Sequence, residues 1–322
     1  MKGMLTIAKK SNNNEFIRYA YDMGFTDFRL NMDYEEQALI ALDRIRTICK
    51  NNVTVFADFQ GVKMRIQLPP EENDWEYHVG DLQDFYLIQG NYPYIKNFDL
   101  VFSSIKKGQI ISIADGKIEA EITDKTDEKI TVRFTKTDYV IRQNAGCCFI
   151  GDNIPDMKMT KNVCLEIADN SVIKNKLIDW VILSFVTSAS EITDFIKRMH
   201  NMGIKVMAKI ETIDGVNHIN EISDVVDGFM IGRGDLTNTA KSQFDIYYSK
   251  ALNDISTNKK EFSGVGTFFL SEFSNTNVLS EYEKEDLFKV KDKGLDYVML
   301  SKEVVNSKYP YETVRMLKDL CK

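Results

Sequence analysis

Val206-Met-Ala-Lys-Ile-Glu211 and Asp227-Gly-Phe-Met-Ile-Gly-Arg-Gly-Asp-Leu236 are two apolar runs, and each stops on charged residues. The first closes on Lys209 and Glu211, the second on Arg233, Gly234 and Asp235. Between them, Val216, Ile219, Ile222 and Val225/Val226 fall at helical spacing. The stretch therefore reads strand, helix, strand. Such a crossover makes the two strands parallel and puts both charged ends on one edge of the sheet. Two carboxylates and a lysine meet there beside a glycine, which lets backbone approach a ligand. That combination suits a hard divalent cation and an anionic substrate.

The same rhythm runs outward in both directions. Leu5-Thr-Ile-Ala8, Phe25 to Asn31 and Val53 to Asp58 read as strands. Asn14 to Gly24 and Asp33 to Asn52 read as amphipathic helices, with Asp33 as the cap of the second. From about Gln67 to Phe149 the helical period gives way to alternating runs such as Lys117-Ile-Glu-Ala-Glu-Ile and Tyr139-Val-Ile-Arg, broken by turn signals such as Ala114-Asp-Gly116. This predicts a small all-β domain over 67–155 inside an α/β domain made of 1–66 and 156–322. Helix and strand alternate again from Val163: Leu177 to Phe185 is a strand, Ser188 to Gly203 a helix with Ser188 and Glu191 forming a capping box, Phe262 to Leu270 and Leu295 to Ser301 strands, and Pro310 to Cys321 a closing helix. Eight strand–helix units predict a TIM (β/α)8 barrel with the β domain inserted after strand three. A doubly wound open sheet is the alternative, weakened because no Gly-x-Gly-x-x-Gly follows the first strand.

Composition narrows the function. The chain has 322 residues, 43% hydrophobic and 28% charged, and a net charge of −7. That balance suits a soluble protein with a large core and argues against nonspecific nucleic-acid binding. No apolar run reaches membrane-spanning length and no signal peptide opens the chain, so the cytoplasm is the expected location. The five cysteines lack CxxC spacing and are expected to be buried, reduced thiols.

In a TIM barrel the reactive residues sit at the C-terminal ends of the strands. Here those ends carry Arg29 and Asn31, Asp58, Ser184, Lys209 and Glu211, Arg233 and Asp235, Thr267, and Ser301 with Glu303. A solvated rim explains one or two polar ends. An unbroken series points to a shared anion and metal site.

These residues resemble the pyruvate kinase family over nearly the whole chain. Phe28-Arg-Leu-Asn31 is similar to its Arg-Leu-Asn motif, and Ala57-Asp-Phe-Gln-Gly-Val-Lys-Met-Arg65 to its Asp-Thr-Lys-Gly-Pro-Glu-Ile-Arg segment. Leu183-Ser-Phe-Val186, Ala208-Lys-Ile-Glu211, Ile231-Gly-Arg-Gly-Asp-Leu236 and Val298-Met-Leu-Ser301 follow in order. The resemblance implies phosphoryl transfer between phosphoenolpyruvate and ADP, giving pyruvate and ATP, with the β insert as a mobile lid. It implies Glu211 and Asp235 as ligands of Mg²⁺ or Mn²⁺. Lys209 and Arg29 would contact the transferring phosphoryl group, and Ser184, Gly234, Asp235 and Thr267 the substrate. Thr267 and Ser301 would serve enolate protonation, and Arg65, Asn31 and Tyr34 the nucleotide. A homo-oligomer through barrel faces would fit the family.

The departures carry expectations of their own. At the family's monovalent-cation site Asn31 and Asp58 match, but Asp33 replaces a serine and Lys63 replaces a glutamate. Gln60, Lys63 and Ile66 resemble the potassium-independent subgroup, so the Lys63 ammonium is expected to stand in for K⁺, with Asp58 and Asp33 as counterions. On the nucleotide side the family's Gly-Pro is Ala8-Lys9, its His is Tyr34, and a Lys at the insert's return hinge is absent from 148–155. An acceptor other than ADP is therefore an alternative. A metal-dependent lyase or aldolase of the same barrel group is another, and a non-catalytic phosphoenolpyruvate or pyruvate sensor a third. The chain stops after the eighth helix, where the family usually continues into a C-terminal domain, so sugar-phosphate regulation is not expected.

Overall fold

The structure is a computed structural model and describes residues 1–322 except 73, 115, 139, 151–156 and 268. Residue 115 of the expected Ala114–Gly116 turn, the start of the Tyr139 run, the 151–155 part of the return hinge and the 155/156 boundary lie outside the described residues. The chain divides into two compact units, Met1–Gly61 with Lys158–Lys322, and Val62–Met157.

The first unit is a closed eight-stranded parallel barrel. Its strands are β1 (Lys2–Ile7), β2 (Asp27–Asn31), β3 (Thr54–Phe59), β4 (Trp180–Leu183), β5 (Lys205–Ile210), β6 (Gly228–Gly232), β7 (Phe262–Gly266) and β8 (Tyr297–Leu300). Each pairs with its sequence neighbour, and β8 closes on β1 through Leu5↔Leu300. Leu5, Val55, Val181, Val206, Phe229 and Val298 face outward into the main core beneath the helices. The alternate positions face inward. Met4, Phe56, Trp180, Met207, Met230, Phe262, Tyr297 and Met299 form a second buried cluster that fills the barrel's lower interior.

Helices α1 (Asn14–Asp22), α2 (Glu35–Cys49), α3 (Ala189–Asn201), α4 (Arg233–Ala240), α5 (Phe244–Thr257), α6 (Glu281–Asp292), α7 (Lys302–Val305) and α8 (Pro310–Cys321) belong to the outer layer. Several differ from expectation. Asp33 does not cap α2: a 3₁₀ turn over Met32–Tyr34 precedes it, and the Asn31 side chain accepts from Asp33 N at 3.2 Å. Ser188 does cap α3, but Glu191 accepts from Lys161 N at 3.0 Å instead of completing the box. The helix expected over 215–226 is two short pieces, Ile213–Asn217 and Ile219–Ser223. Strand β7 stops at Gly266, because Thr267 turns to φ +70°.

The second unit is a closed seven-stranded barrel with its own apolar core, including Ile66, Phe85, Ile111, Ile130 and Phe134. It starts earlier than expected because Arg65–Gln67 pairs with both Tyr94–Lys96 and Ala145–Ile150. A short helix, Asp99–Phe102, interrupts its β structure. No helix among the described residues is long and apolar enough to cross a membrane. Cys49, Cys147 and Cys164 are buried, whereas Cys148 and Cys321 are only partly buried. Desolvation pushes the Cys49 thiol up to about 11 and Cys164 up to about 12.

Candidate active site

Strand parity builds the site. Side chains two residues apart on a strand share a face. The inward series therefore continues upward from the apolar plug: Met4 to Thr6, Phe56 to Asp58, Ile182 to Ser184, Met207 to Lys209 and Glu211, Met230 to Gly232, and Met299 to Ser301. Arg29 joins this layer from β2, where its register partner is Thr6. One step along the barrel axis thus changes a packed apolar floor into a polar, charged layer.

Asp58 is the centre of that layer and is fully buried. Arg29 donates to its Oδ2 through Nε at 2.8 Å and lies 2.7 Å away through Nη2. Arg29 Nη1 also donates to Thr6 Oγ1 at 3.2 Å. Lys209 Nζ reaches both Asp58 oxygens, at 3.2 and 3.1 Å, and lies 3.5 Å from Glu211 Oε1. Ser184 Oγ donates to Asp58 Oδ1 at 3.4 Å. Burial alone would push the Asp58 carboxyl up, but the Lys209 and Arg29 charges outweigh it and hold Asp58 below the usual carboxylate range. Both Asp58 oxygens thus accept from the cations of this layer, Oδ1 from Lys209 and Oδ2 from Arg29 and Lys209.

Glu211 leaves β5 with Oε2 accepting from Phe185 N at 2.9 Å. Gly232, at the end of neighbouring β6, makes room for it: a Cβ there would lie 2.6 Å from Glu211 Cγ and Oε1. Asp235 follows in the first turn of α4 and is half-buried. The described residues contain no cluster of three or more His, Cys, Asp or Glu side chains able to hold a metal. The donor set on offer is two hard carboxylates at adjacent strand ends. That fits Mg²⁺, which takes one or two protein carboxylates and fills its remaining positions with water and substrate oxygens.

Arg233 was grouped with the anion-facing residues, but it has the outward parity of Phe229 and Ile231. Its Nη1 pairs with Asp286 of α6 at 2.6 and 2.7 Å, and its guanidinium lies 4.0 Å over the Phe269 ring. Its Nε donates to the Thr267 carbonyl at 3.0 Å, and Nη2 donates to the same oxygen. Arg233 therefore fixes the left-handed turn that presents Thr267, and does not itself enter the barrel.

Next to β7 around the mouth, Ser301 directly follows β8 and is buried. Glu303 feels desolvation that would raise it. The Lys302 ammonium, its own backbone amide, the Ser301 hydroxyl and the Arg29 charge together hold it below its ordinary value. Tyr34 lies beneath Lys302, whose Nζ is 5.4 Å from the ring centroid. Lys302 was not singled out from the sequence, although it directly follows the last strand end. Lys63 and Arg65 belong to the second unit, where Asn97 Nδ2 donates to the Lys63 carbonyl at 3.1 Å and Arg65 Nη1 donates to the Asn144 carbonyl at 3.2 Å.

The chain is similar to known proteins over nearly its whole length. Pyruvate kinase of Methanocaldococcus jannaschii is 28% identical over 299 residues, covering 90% of this chain and 61% of that protein. The enzyme of Lactococcus lactis is 27% identical over 318 residues, with 91% and 62% covered. The chain thus spans less than two thirds of the length of these relatives. Among solved structures, Cryptosporidium parvum pyruvate kinase superposes with a TM-score of 0.84 at 23% identity, over 99% of this chain and 69% of that one. A structure of the C. parvum protein in complex with ADP gives 0.79 at 22%, over 99% and 67%. These structural likenesses establish the fold. The family model for the pyruvate kinase barrel domain matches residues 2–314, from the first barrel strand into the closing helix. A match of that extent makes this chain a member of the pyruvate kinase family.

Proposed function

We propose that this chain catalyses phosphoryl transfer between phosphoenolpyruvate and a nucleoside diphosphate, ADP first among them, giving pyruvate and the triphosphate. The observation that supports this most is Lys209, buried and held between Asp58 and Glu211, with Arg29 sharing the same Asp58. Two cations fixed in a water-poor pocket suit a substrate whose phosphate and carboxylate must be bound and whose enolate must be stabilised.

In this reading Arg29 and Lys209 bind the phosphoryl group. Lys209 opposes the charge that develops on the enol oxygen as its bond to phosphorus breaks and the acceptor oxygen's bond to phosphorus forms. Gly234, Asp235 and Thr267 seat the carboxylate end of the substrate, and Ser184 also contacts the substrate. The enolate left behind takes a proton at C3, and the Thr267 and Ser301 hydroxyls hold and relay that proton. A divalent cation, Mg²⁺ or Mn²⁺, held by Glu211 and Asp235, supplies Lewis-acid charge to phosphoryl and enolate oxygens. Asn31, Tyr34 and Arg65 serve the nucleotide, and the inserted β unit acts as a lid. Lys63, with Asn31, Asp33 and Asp58 nearby in sequence, removes the need for K⁺. The setting is cytoplasmic, without nucleic acid or membrane, and a homo-oligomer through barrel faces is compatible with it.

The test is incubation with phosphoenolpyruvate, Mg²⁺ and a panel of nucleoside diphosphates, following pyruvate and the phosphorylated product. Pyruvate formed together with a triphosphate supports the proposal. Pyruvate formed with a different phosphorylated product keeps the chemistry and replaces the acceptor. No turnover, with phosphoenolpyruvate binding that survives Lys209→Met, would overturn it in favour of a sensor.

A further inference from the structure

Strand β1 lies between β2 and β8 in the barrel, so the segments that follow these three strands are neighbours at the mouth. The β1 and β8 segments are tied together: Lys10 N donates to Asn306 Oδ1 at 2.8 Å, and Lys10 Nζ donates to the Ser307 carbonyl at 3.4 Å. Three residues here are departures from the family or were unremarked in the sequence, namely Lys9 after β1, Tyr34 after β2 and Lys302 after β8. Tyr34 and Lys302 are remote in sequence and come together only because the barrel closes, and Lys9 lies on the segment that neighbours both.

Lys302 is the informative member. Its ammonium lies over the Tyr34 ring, 5.4 Å from the centroid, which steers a flexible side chain toward one position. The nearest carboxylate is Glu303 Oε1 at 3.7 Å, too far for a hydrogen bond, and none of the Lys302 side-chain N–H groups makes one among the described residues. Lys9 is exposed and likewise has no hydrogen-bond or ion-pair partner among the described residues. Asp33 and Glu303 are the acidic groups on these segments. The buried cations Arg29 and Lys209, by contrast, are already matched by Asp58 and Glu211. In a chain of net charge −7, Lys302, paired only loosely with Glu303 at 3.7 Å and with its N–H groups unused among the described residues, and exposed Lys9 offer positive charge at the barrel mouth for an anion.

We infer that Lys302, oriented by the Tyr34 ring and supported by Lys9, binds the diphosphate chain of the phosphoryl acceptor. The inference rests on the proposed phosphoryl transfer and adds this chain's own acceptor contact. A primary ammonium suits a phosphate chain because it is a point charge with three donors that can follow moving oxygens. The recognised chemistry is the diphosphate, whether it comes from a nucleotide or from inorganic pyrophosphate.

Calorimetric titration with Mg²⁺ present tests it without relying on turnover. ADP, AMP, inorganic pyrophosphate and phosphoenolpyruvate would be titrated into the wild type, Lys302→Met, Lys302→Arg, Tyr34→Phe and Tyr34→Leu. Lys302→Met is expected to weaken ADP and pyrophosphate by about tenfold and AMP by less, with phosphoenolpyruvate within about twofold of wild type. Lys302→Arg should restore most of the loss, Tyr34→Phe should keep affinity, and Tyr34→Leu should lose it severalfold. Pyrophosphate binding without ADP binding would also support the inference and assign a non-nucleotide acceptor. ADP affinity unchanged in Lys302→Met would overturn it. So would an equal loss of phosphoenolpyruvate affinity, or a wild type that binds neither ADP nor pyrophosphate. A protein that binds ADP through Lys302 yet forms no pyruvate would refute the proposed reaction and leave this contact standing.

Discussion

Arg29 and Lys209 share one carboxylate: Asp58 Oδ2 lies 2.7 Å from Arg29 Nη2 and 3.1 Å from Lys209 Nζ. Two like charges this close in a dry pocket would repel strongly without it. With Glu211 beside Lys209, two cations and two carboxylates sum to zero. The charge layer is balanced before any ligand arrives, and a ligand of one sign would be expected to enter with a counterion of the other.

Asp58→Asn keeps the shape and removes the charge. It leaves two buried cations, Arg29 and Lys209, with Glu211 as the one carboxylate of that layer, so a stability loss of about 3–5 kcal/mol is expected in urea unfolding at pH 7. A loss below about 1 kcal/mol would show that the two cations do not depend on Asp58. The pH dependence follows from the lowered Asp58 value. The unfolded chain takes up this proton near its ordinary value, about 3.9, whereas the folded chain resists until lower pH. Asp58 therefore stabilises fully above that range, and its contribution drains away as pH falls through the native value. Acid-unfolding curves of wild type and Asp58→Asn should converge at the acid end.

Gly232→Ala tests the space beside Glu211. Its Cβ would meet Glu211 Cγ and Oε1 at 2.6 Å, and the side chain must move. Mn²⁺ affinity, read by electron paramagnetic resonance, should fall by about 10- to 100-fold, while the unfolding midpoint shifts little. Unchanged Mn²⁺ affinity would remove Glu211 from the metal site.

Arg233→Met removes the partner of Asp286 and releases the Thr267 carbonyl. About 3–5 kcal/mol of stability should be lost, because Asp286 is left half-enclosed and unpaired. The double variant with Asp286→Leu should be the more stable of the two, as a cycle of four unfolding curves would reveal. If the proposed reaction holds, kcat should fall more than phosphoenolpyruvate affinity, since Thr267 is displaced while Arg29 and Lys209 stay in place.

Potassium tests Lys63. Wild-type turnover at fixed ionic strength should be equal with K⁺ or tetramethylammonium. Lys63→Glu should slow the reaction and make it respond to K⁺. A wild-type rate that climbs severalfold with K⁺ would overturn the substitution of an ammonium for the ion.

The barrel was legible because apolar strand runs and helical segments follow one another eight times, and because strands two to eight run out into polar residues. Side-chain parity along a strand carries information that strand-end position hides. Arg233 has the outward parity of Phe229 and Ile231, so its escape from the barrel follows from counting by two. What could not be read locally depends on partners far away in the chain. Glu191 leaves its own helix for Lys161 N, and the β7 run breaks at Thr267, whose carbonyl is held by Arg233. Lys302 was missed for the same reason: nothing beside it in sequence announces the Tyr34 ring.

The floor of Met4, Phe56, Trp180, Met207, Met230, Phe262, Tyr297 and Met299 closes the barrel from below. The charged layer thus rests on an apolar stopper that fills the barrel axis beneath it. If the proposed reaction holds, reactant and product would both pass the mouth at the C-terminal ends of the strands, and a product slow to depart would block the next arrival.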